Sequence, residues 1–334
     1  MKSPVAIVGI NSFSGGTFAR HIIEAGGSVV GFARSENTKS SFVPFFSHLQ
    51  SNPSKLKVYI ANLIHDGRFI ADTIVSNKCT YVVNFAAQSM VAESWETPED
   101  WYDTNVSAFV KFANFLHNNG EPKIQKFVQF TTPEVYGSTS GLIRENWQFN
   151  PTTPYAISRA ASDLHLRAMF NTFGFPVIFT RTANIYGQYQ KLYRLIPKLI
   201  VKAIKKEKFQ LHGGGSSLRS FIHSSDVAIA LSLILENGEI GSTYHISGQE
   251  FISILDLTYK ILSNLDTNFE EVVSVVGDRP GKDQAYLLDS SKVREELGWN
   301  NQISLDEGLN EVVSWIKAEW KTIGNLSLEY NHSR

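Results

Sequence analysis

The sequence predicts an α/β chain, a doubly wound parallel sheet of the Rossmann type followed by a smaller mixed α/β carboxyl-terminal lobe. Two observations carry this. Short β-branched or apolar runs alternate with longer amphipathic segments through the first half, as expected of strands covered by helices on both faces. After Asn184-Ile185-Tyr186-Gly187 the regular alternation stops. The expected division is 1–183 for the sheet, with later segments returning to it, 184–324 mainly for the second lobe, and 325–334 for a polar tail that frays.

In chain order, Pro4 to Gly9 reads as the first strand and Gly16 to Gly26 as a helix in which Phe18, Ile22 and Ile23 share one face. Ser28 to Ala33 completes a βαβ unit. Lys57–Ile60, Tyr81–Phe85, Phe127–Phe130 and Val177–Arg181 read as further strands, and Trp101–His117 and Tyr155–Phe173 as the long helices of this half. Beyond residue 187 the spacing predicts helices over Leu195–Lys206, Ser225–Glu236, Ile252–Leu265 and Leu305–Thr322, with a short strand at Phe209–Leu211.

Composition narrows the function classes. The 334 residues, 43% hydrophobic and 19% charged, suit a folded globular protein with a sizeable core. A net charge of -1 gives no electrostatic reason to expect nucleic acid or an anionic membrane as partner. No apolar run is long enough to span a bilayer, and Met1-Lys2-Ser3-Pro4 leads into a strand without a signal-peptide apolar region, so a cytoplasmic location is expected. The lone cysteine, Cys79, excludes an intramolecular disulfide and a cysteine-based zinc site. The histidines show no paired ligand spacing, and no metal is expected.

Gly9-Ile10-Asn11-Ser12-Phe13-Ser14-Gly15 lies between the first strand and the first helix. Gly9 permits a tight turn, Gly15 permits close approach, and the helix amino terminus offers N–H groups to a pyrophosphate. Ser12 stands where the usual fingerprint has its middle glycine. About 20 residues on, where an acidic side chain would hold a free ribose 2′-hydroxyl, the second strand ends Arg34-Ser35. A guanidinium beside a hydroxyl suits a 2′-phosphate, which favours NADP over NAD.

Thr132 and Glu134 follow the strand ending at Phe130, and Tyr155 and Arg159 open a helix soon after. A hydroxyl, a carboxylate and a phenol at one strand end can hold a substrate hydroxyl, remove a carbon-bound proton and exchange a proton with an alcohol. With these residues the chain resembles, over nearly its full length, the extended short-chain dehydrogenase/reductase superfamily, and within it the nucleotide-sugar 4,6-dehydratases. Thr132-Pro133-Glu134-Val135-Tyr136-Gly137 is similar to the dehydratase motif, and Asn84 to Ser89 with Ser94-Trp95 and Thr104-Asn105-Val106 to the segment beside the nicotinamide in GDP-mannose 4,6-dehydratases.

The resemblance implies Thr132, Glu134, Tyr155 and Arg159 as catalytic, and Asn62, Leu63, Phe85, Ala86, Ala87, Gln88 and Asn105 as cofactor contacts beside the glycine loop. It implies Ser89, Asn184, Arg194, Arg219, His245, Arg279 and Asp283 for a nucleotide-diphosphate sugar, and a homodimer through the two long helices. Arg159 replaces the lysine of many members, Pro133 replaces the aspartate of dTDP-glucose dehydratases, and Met90 a commoner histidine. An epimerase, reductase or decarboxylase on the same scaffold, or a non-catalytic nucleotide-sugar-binding protein, are the alternative readings.

Overall fold

The computed structural model describes residues 3–36, 42–45, 51, 54–119, 121–139, 141–277 and 287–332. Its strands in chain order are β1 (Val5–Val8), β2 (Val29–Ala33), β3 (Leu56–Ile60), β4 (Tyr81–Asn84), β5 (Lys126–Thr131), β6 (Leu142–Ile143), β7 (Val177–Thr182) and β8 (Asn184–Tyr186). There follow β9 (Phe209–His212), β10 (Leu218–Arg219), β11 (Phe221–His223), β12 (Thr243–Ile246), β13 (Ile252–Ser253), β14 (Val273–Val276) and β15 (Leu287–Leu288).

Seven of them form one sheet in the order β12-β7-β5-β4-β1-β2-β3, with every neighbouring pair parallel. From β1 the chain steps outward through β2 and β3, then returns to β4 on the other side and continues through β5 and β7. The strand order therefore reverses between β1 and β4, which opens a crevice at their carboxyl ends.

Side-chain alternation divides the sheet between two cores. Val5 and Ile7 point into a cluster with Phe18 and Ile22 of helix Phe13–Glu24 and Leu231 and Ile234 of helix Ser224–Asn237. Ala6 and Val8 point the other way, against Ile70 and Ile74 of helix Leu63–Ser76 and Phe112 of helix Phe109–Asn118. Each large apolar side chain buried here contributes about 1.5–3 kcal/mol. The second lobe packs Leu199, Ile261, Val312 and Ile316, from helices Leu195–Lys205, Ile254–Ser263 and Leu305–Ala318, around its own core.

Three departures from the sequence reading bear on the site. The long helix expected over Trp101–His117 is Pro98–Tyr102, a π-helical stretch Asp103–Ala108, and Phe109–Asn118; the widened turn re-aims Asn105. Thr243–Ile246, not expected as a strand, returns to the main sheet as β12. The tail does not fray as far as it is described: Leu328 is 8% exposed and belongs to the second-lobe core. Leu326, Leu328 and Tyr330 recur with a period of two, so one edge of an extended segment is apolar and packs down.

Cys79 is buried, which pushes its thiol up to about 12, as suits an inert core thiol. Among the described residues no helix is long and apolar enough to cross a membrane, and no group of three or more His, Cys, Asp or Glu side chains is placed to hold a metal.

Candidate active site

The glycine loop is tight because the backbone leaves no room for side chains. Gly9 has φ of +86°, and a Cβ there would meet Ala86 N at 2.8 Å; one on Gly15 would meet Gly9 O at 2.5 Å. Ser12 is the N-cap of the first helix. Its Oγ accepts from Gly15 N–H at 3.0 Å and donates to Gly9 O at 2.7 Å, so the residue that replaces the middle glycine ties the turn together. Asn11 Nδ2 donates to Ser35 O at 2.9 Å and joins the loop to the end of β2.

A cleft of about 1550 Å³ opens above these strand ends, beyond the ~300–1,000 Å³ usual for one small ligand. Gly9, Asn11, Ser12, Phe13, Ser14, Arg34, Ser35, Asn62 and Leu63 line its first-strand side. Phe85, Ala86, Ala87, Gln88 and Ser89 line the middle; Thr132, Glu134, Tyr155, Arg159, Asn184, Arg194 and Arg219 complete the far wall.

The chemistry is set by β5 and the helix that follows. Thr132 caps the short turn Pro133–Tyr136, its Oγ1 accepting from Glu134 N–H at 3.3 Å, and so turns Glu134 into the cleft. Tyr155 is the second residue of helix Pro154–Phe173, whose start is set by Pro154 and by Thr153 Oγ1 accepting from Ala156 N–H at 3.2 Å. Ser94 Oγ anchors the same turn by accepting from Tyr155 N–H at 3.2 Å.

Burial pushes the Tyr155 phenol above its usual range; the Arg159 guanidinium pulls it back, the Glu134 carboxylate raises it, and a hydrogen bond with Thr132 and the charge of Arg194 lower it. Arg159, one turn along and 3% exposed, donates through Nη2 to Phe130 O. That bond fixes the cation beneath the phenol. One turn further, Asp163 Oδ2 pairs with Arg181 Nη2 at 2.9 Å, with 2% and 3% of the two side chains exposed.

Gly15, Asn105 and His245 are not on the cleft wall. Gly15 is buried under the loop. Asn105 works from behind: Oδ1 accepts from Gln88 N–H at 2.9 Å, while Nδ2 donates to Gln88 O at 3.0 Å and to Ser158 Oγ at 2.9 Å. It clamps the loop that lines the cleft.

His245, expected to touch a substrate, is wholly buried in β12. Its Nδ1 donates to Asp289 O at 3.2 Å, leaving Nε2 to accept from the Tyr136 hydroxyl at 2.8 Å. Burial and the nearby Arg181 charge push it down to about 3, so it is a neutral structural imidazole. His223 caps helix Ser224–Asn237. Arg279 and Asp283 lie outside the described residues. The structure adds Glu36, Tyr193 and Tyr330 to the cleft wall. Glu36 follows Arg34 by two positions and could have been read; nothing local marks the other two.

The family model described as GDP-mannose 4,6 dehydratase matches residues 6–312. A dTDP-glucose 4,6-dehydratase of Xanthomonas campestris pv. campestris is 30% identical over 330 residues, 92% of each chain. A human dTDP-D-glucose 4,6-dehydratase is 28% identical over 92% of this chain and 94% of its own. Among solved structures, the dTDP-glucose 4,6-dehydratase DesIV of Streptomyces venezuelae, with NAD and TYD bound, superposes with a TM-score of 0.87 at 28% identity, covering 95% of this chain and 98% of that one. The match from the glycine loop through the lobe helices, on a sheet with this strand order, leads to one conclusion: the chain belongs to the GDP-mannose 4,6 dehydratase family, the nucleotide-sugar 4,6-dehydratases of the extended short-chain dehydrogenase/reductase superfamily.

Proposed function

We propose that this protein removes water across C5 and C6 of a nucleoside-diphosphate sugar, by way of a C4 ketone, with NADP held in the cleft. The observation that carries the reading is the convergence of Thr132, Glu134 and Tyr155 in the one cleft that also contains the glycine loop. The loop fits a dinucleotide: its glycines stand where a Cβ would collide with backbone, so an extended pyrophosphate can approach the N–H groups at the helix start.

A nicotinamide dinucleotide, when bound, supplies reversible hydride acceptance. Tyr155 takes the proton of the 4-hydroxyl, with Thr132 holding that oxygen and Arg159 favouring the phenolate. The resulting ketone acidifies the hydrogen at C5. Glu134 removes it as a proton and delivers it to the C6 hydroxyl, which leaves as water; the sugar then takes up a solvent-derived proton at C5 and, at C6, the hydride it gave up at C4. Pro133 offers no second acid, so the one carboxylate does both jobs. Arg194 and Arg219, both on the cleft wall, would neutralise the diphosphate.

Arg34 favours NADP, since a guanidinium pairs with a 2′-phosphate. NAD is the second reading, supported by Glu36 on the same stretch of wall and by the NAD in the Streptomyces relative. Exposed Ile157 and Leu164, on one face of helix Pro154–Phe173, support a homodimer formed through that helix and the Trp101–His117 segment.

The purified protein is to be incubated with GDP-mannose, dTDP-glucose, UDP-N-acetylglucosamine and CDP-glucose, with each dinucleotide. Loss of one water from one substrate, with solvent deuterium entering at C5, is expected; Glu134→Gln should abolish both. Unchanged mass with every sugar, despite bound dinucleotide, refutes dehydration. Tighter binding of NADP than NAD, lost in Arg34→Ala, is the expected cofactor result, and equal binding refutes the NADP choice.

A further inference from the structure

Segment 325–332 puts Glu329 and Tyr330 on the cleft wall and is fastened to both lobes. On the second-lobe side Leu328 sits in the core, and Glu329 Oε1 accepts from Lys198 Nζ at 3.0 Å. On the first-lobe side His332 Nε2 donates to Asp100 Oδ2 at 2.7 Å, and its ring stacks on Trp101 with centroids 4.9 Å apart and planes 11° apart. The Asp100 side chain is 3% exposed and Trp101 is wholly buried. His332 thus docks onto core residues.

Between the two anchors lies Tyr330. Its ring meets Tyr193 edge-on at 5.1 Å, and it lines the cleft. The charged side chains that act on its phenol are Arg34 at the end of β2, Glu93 in the loop after β4, and Arg194 ahead of helix Leu195–Lys205. Arg34 follows β2, which flanks β1 and its glycine loop, and Glu93 opens the short turn Glu93–Trp95 beyond β4 on the other flank. Tyr330 thus lines the cleft within electrostatic reach of Arg34, which stands beside the glycine loop on which an extended dinucleotide would lie.

We propose that Tyr330 is a binding residue for the dinucleotide, and that segment 325–332 is a strap, latched by His332 on Asp100 and Trp101, that must lift before the cofactor leaves. The proposal rests on the cofactor reading given above. It suits a reaction in which the dinucleotide ends as it began, because such a cofactor gains nothing from rapid exchange.

The test measures dissociation of NADPH and NADH from the full chain, by fluorescence after mixing with excess unlabelled dinucleotide, in the natural protein and in Tyr330→Ala, Tyr330→Phe and His332→Ala. Both alanine variants should release the dinucleotide about tenfold faster, with Tyr330→Phe between them and the natural protein. His332 is the decisive position, because its side chain does not line the cleft and reaches the cofactor only through the strap. Dissociation within about twofold of the natural protein in both alanine variants, or in His332→Ala alone, overturns the strap. A natural protein that binds neither dinucleotide overturns the cofactor reading and the strap with it, whereas binding with unchanged release overturns the strap alone.

Discussion

Replacing Asp163 by asparagine should destabilise the protein far more than its size suggests. At 2.9 Å, with both side chains almost fully buried, the attraction to Arg181 amounts to about 6 kcal/mol at an effective dielectric constant of about 20. Desolvation of the two charges offsets much of this, so the pair itself adds little. Losing one member is different, because it strands Arg181 in the interior over the Tyr136 and Phe149 rings and within reach of the Arg167 charge, at a cost of about 3–5 kcal/mol.

For a chain of 334 residues that corresponds to a fall in Tm of roughly 4–7 °C. Urea unfolding and a thermal melt of Asp163→Asn measure it, and Asp163→Leu combined with Arg181→Met should recover most of the loss, since the pair can be replaced by apolar packing. A single variant within about 1 kcal/mol of the natural protein would show that water or a neighbouring group reaches the guanidinium, and would refute the reasoning.

Two further expectations concern pH. Arg159→Met removes the largest influence that lowers the Tyr155 phenol against burial, so the limb of kcat/KM that reports phenolate formation should move to higher pH, while Arg159→Lys stays near the natural profile; coincident profiles for all three would show that Arg159 does not tune the phenol. His245 and His223 are pushed down to about 3 and about 4, chiefly by burial. The unfolded chain therefore takes up their protons first, and stability should fall as the pH drops from about 6.5 toward 4, by up to about 1.4 kcal/mol per pH unit for each group. A flat profile of urea midpoints across that range contradicts it.

Much of the site is legible in the sequence because its parts sit at strand ends. Once Val128 to Phe130 is read as a strand, Thr132 and Glu134 must emerge beyond its carboxyl end, and the glycine loop must do the same after β1. What could not be read depends on register and on distant contacts. His245 belongs to a four-residue strand buried on all sides, and nothing local says whether such a histidine faces a cleft or the back of a tyrosine. Asn105 reaches Gln88 through a π-helical turn, which helical periodicity does not signal. Tyr330 gains its place from a latch on Asp100, a residue more than two hundred positions away in the chain.

The position of β12 has a consequence for how the molecule is made. Its four residues close the edge of the sheet beside β7, yet the chain reaches them only after helix Leu195–Lys205, β9 and helix Ser224–Asn237. A fragment ending before Asn184 would leave β7 with an unpaired margin and helix Phe13–Glu24 without Ser224–Asn237 on its flank, a surface prone to self-association. During synthesis the sheet is not complete until Ile246 has been added, so a fragment ending before Asn184 should self-associate when expressed alone.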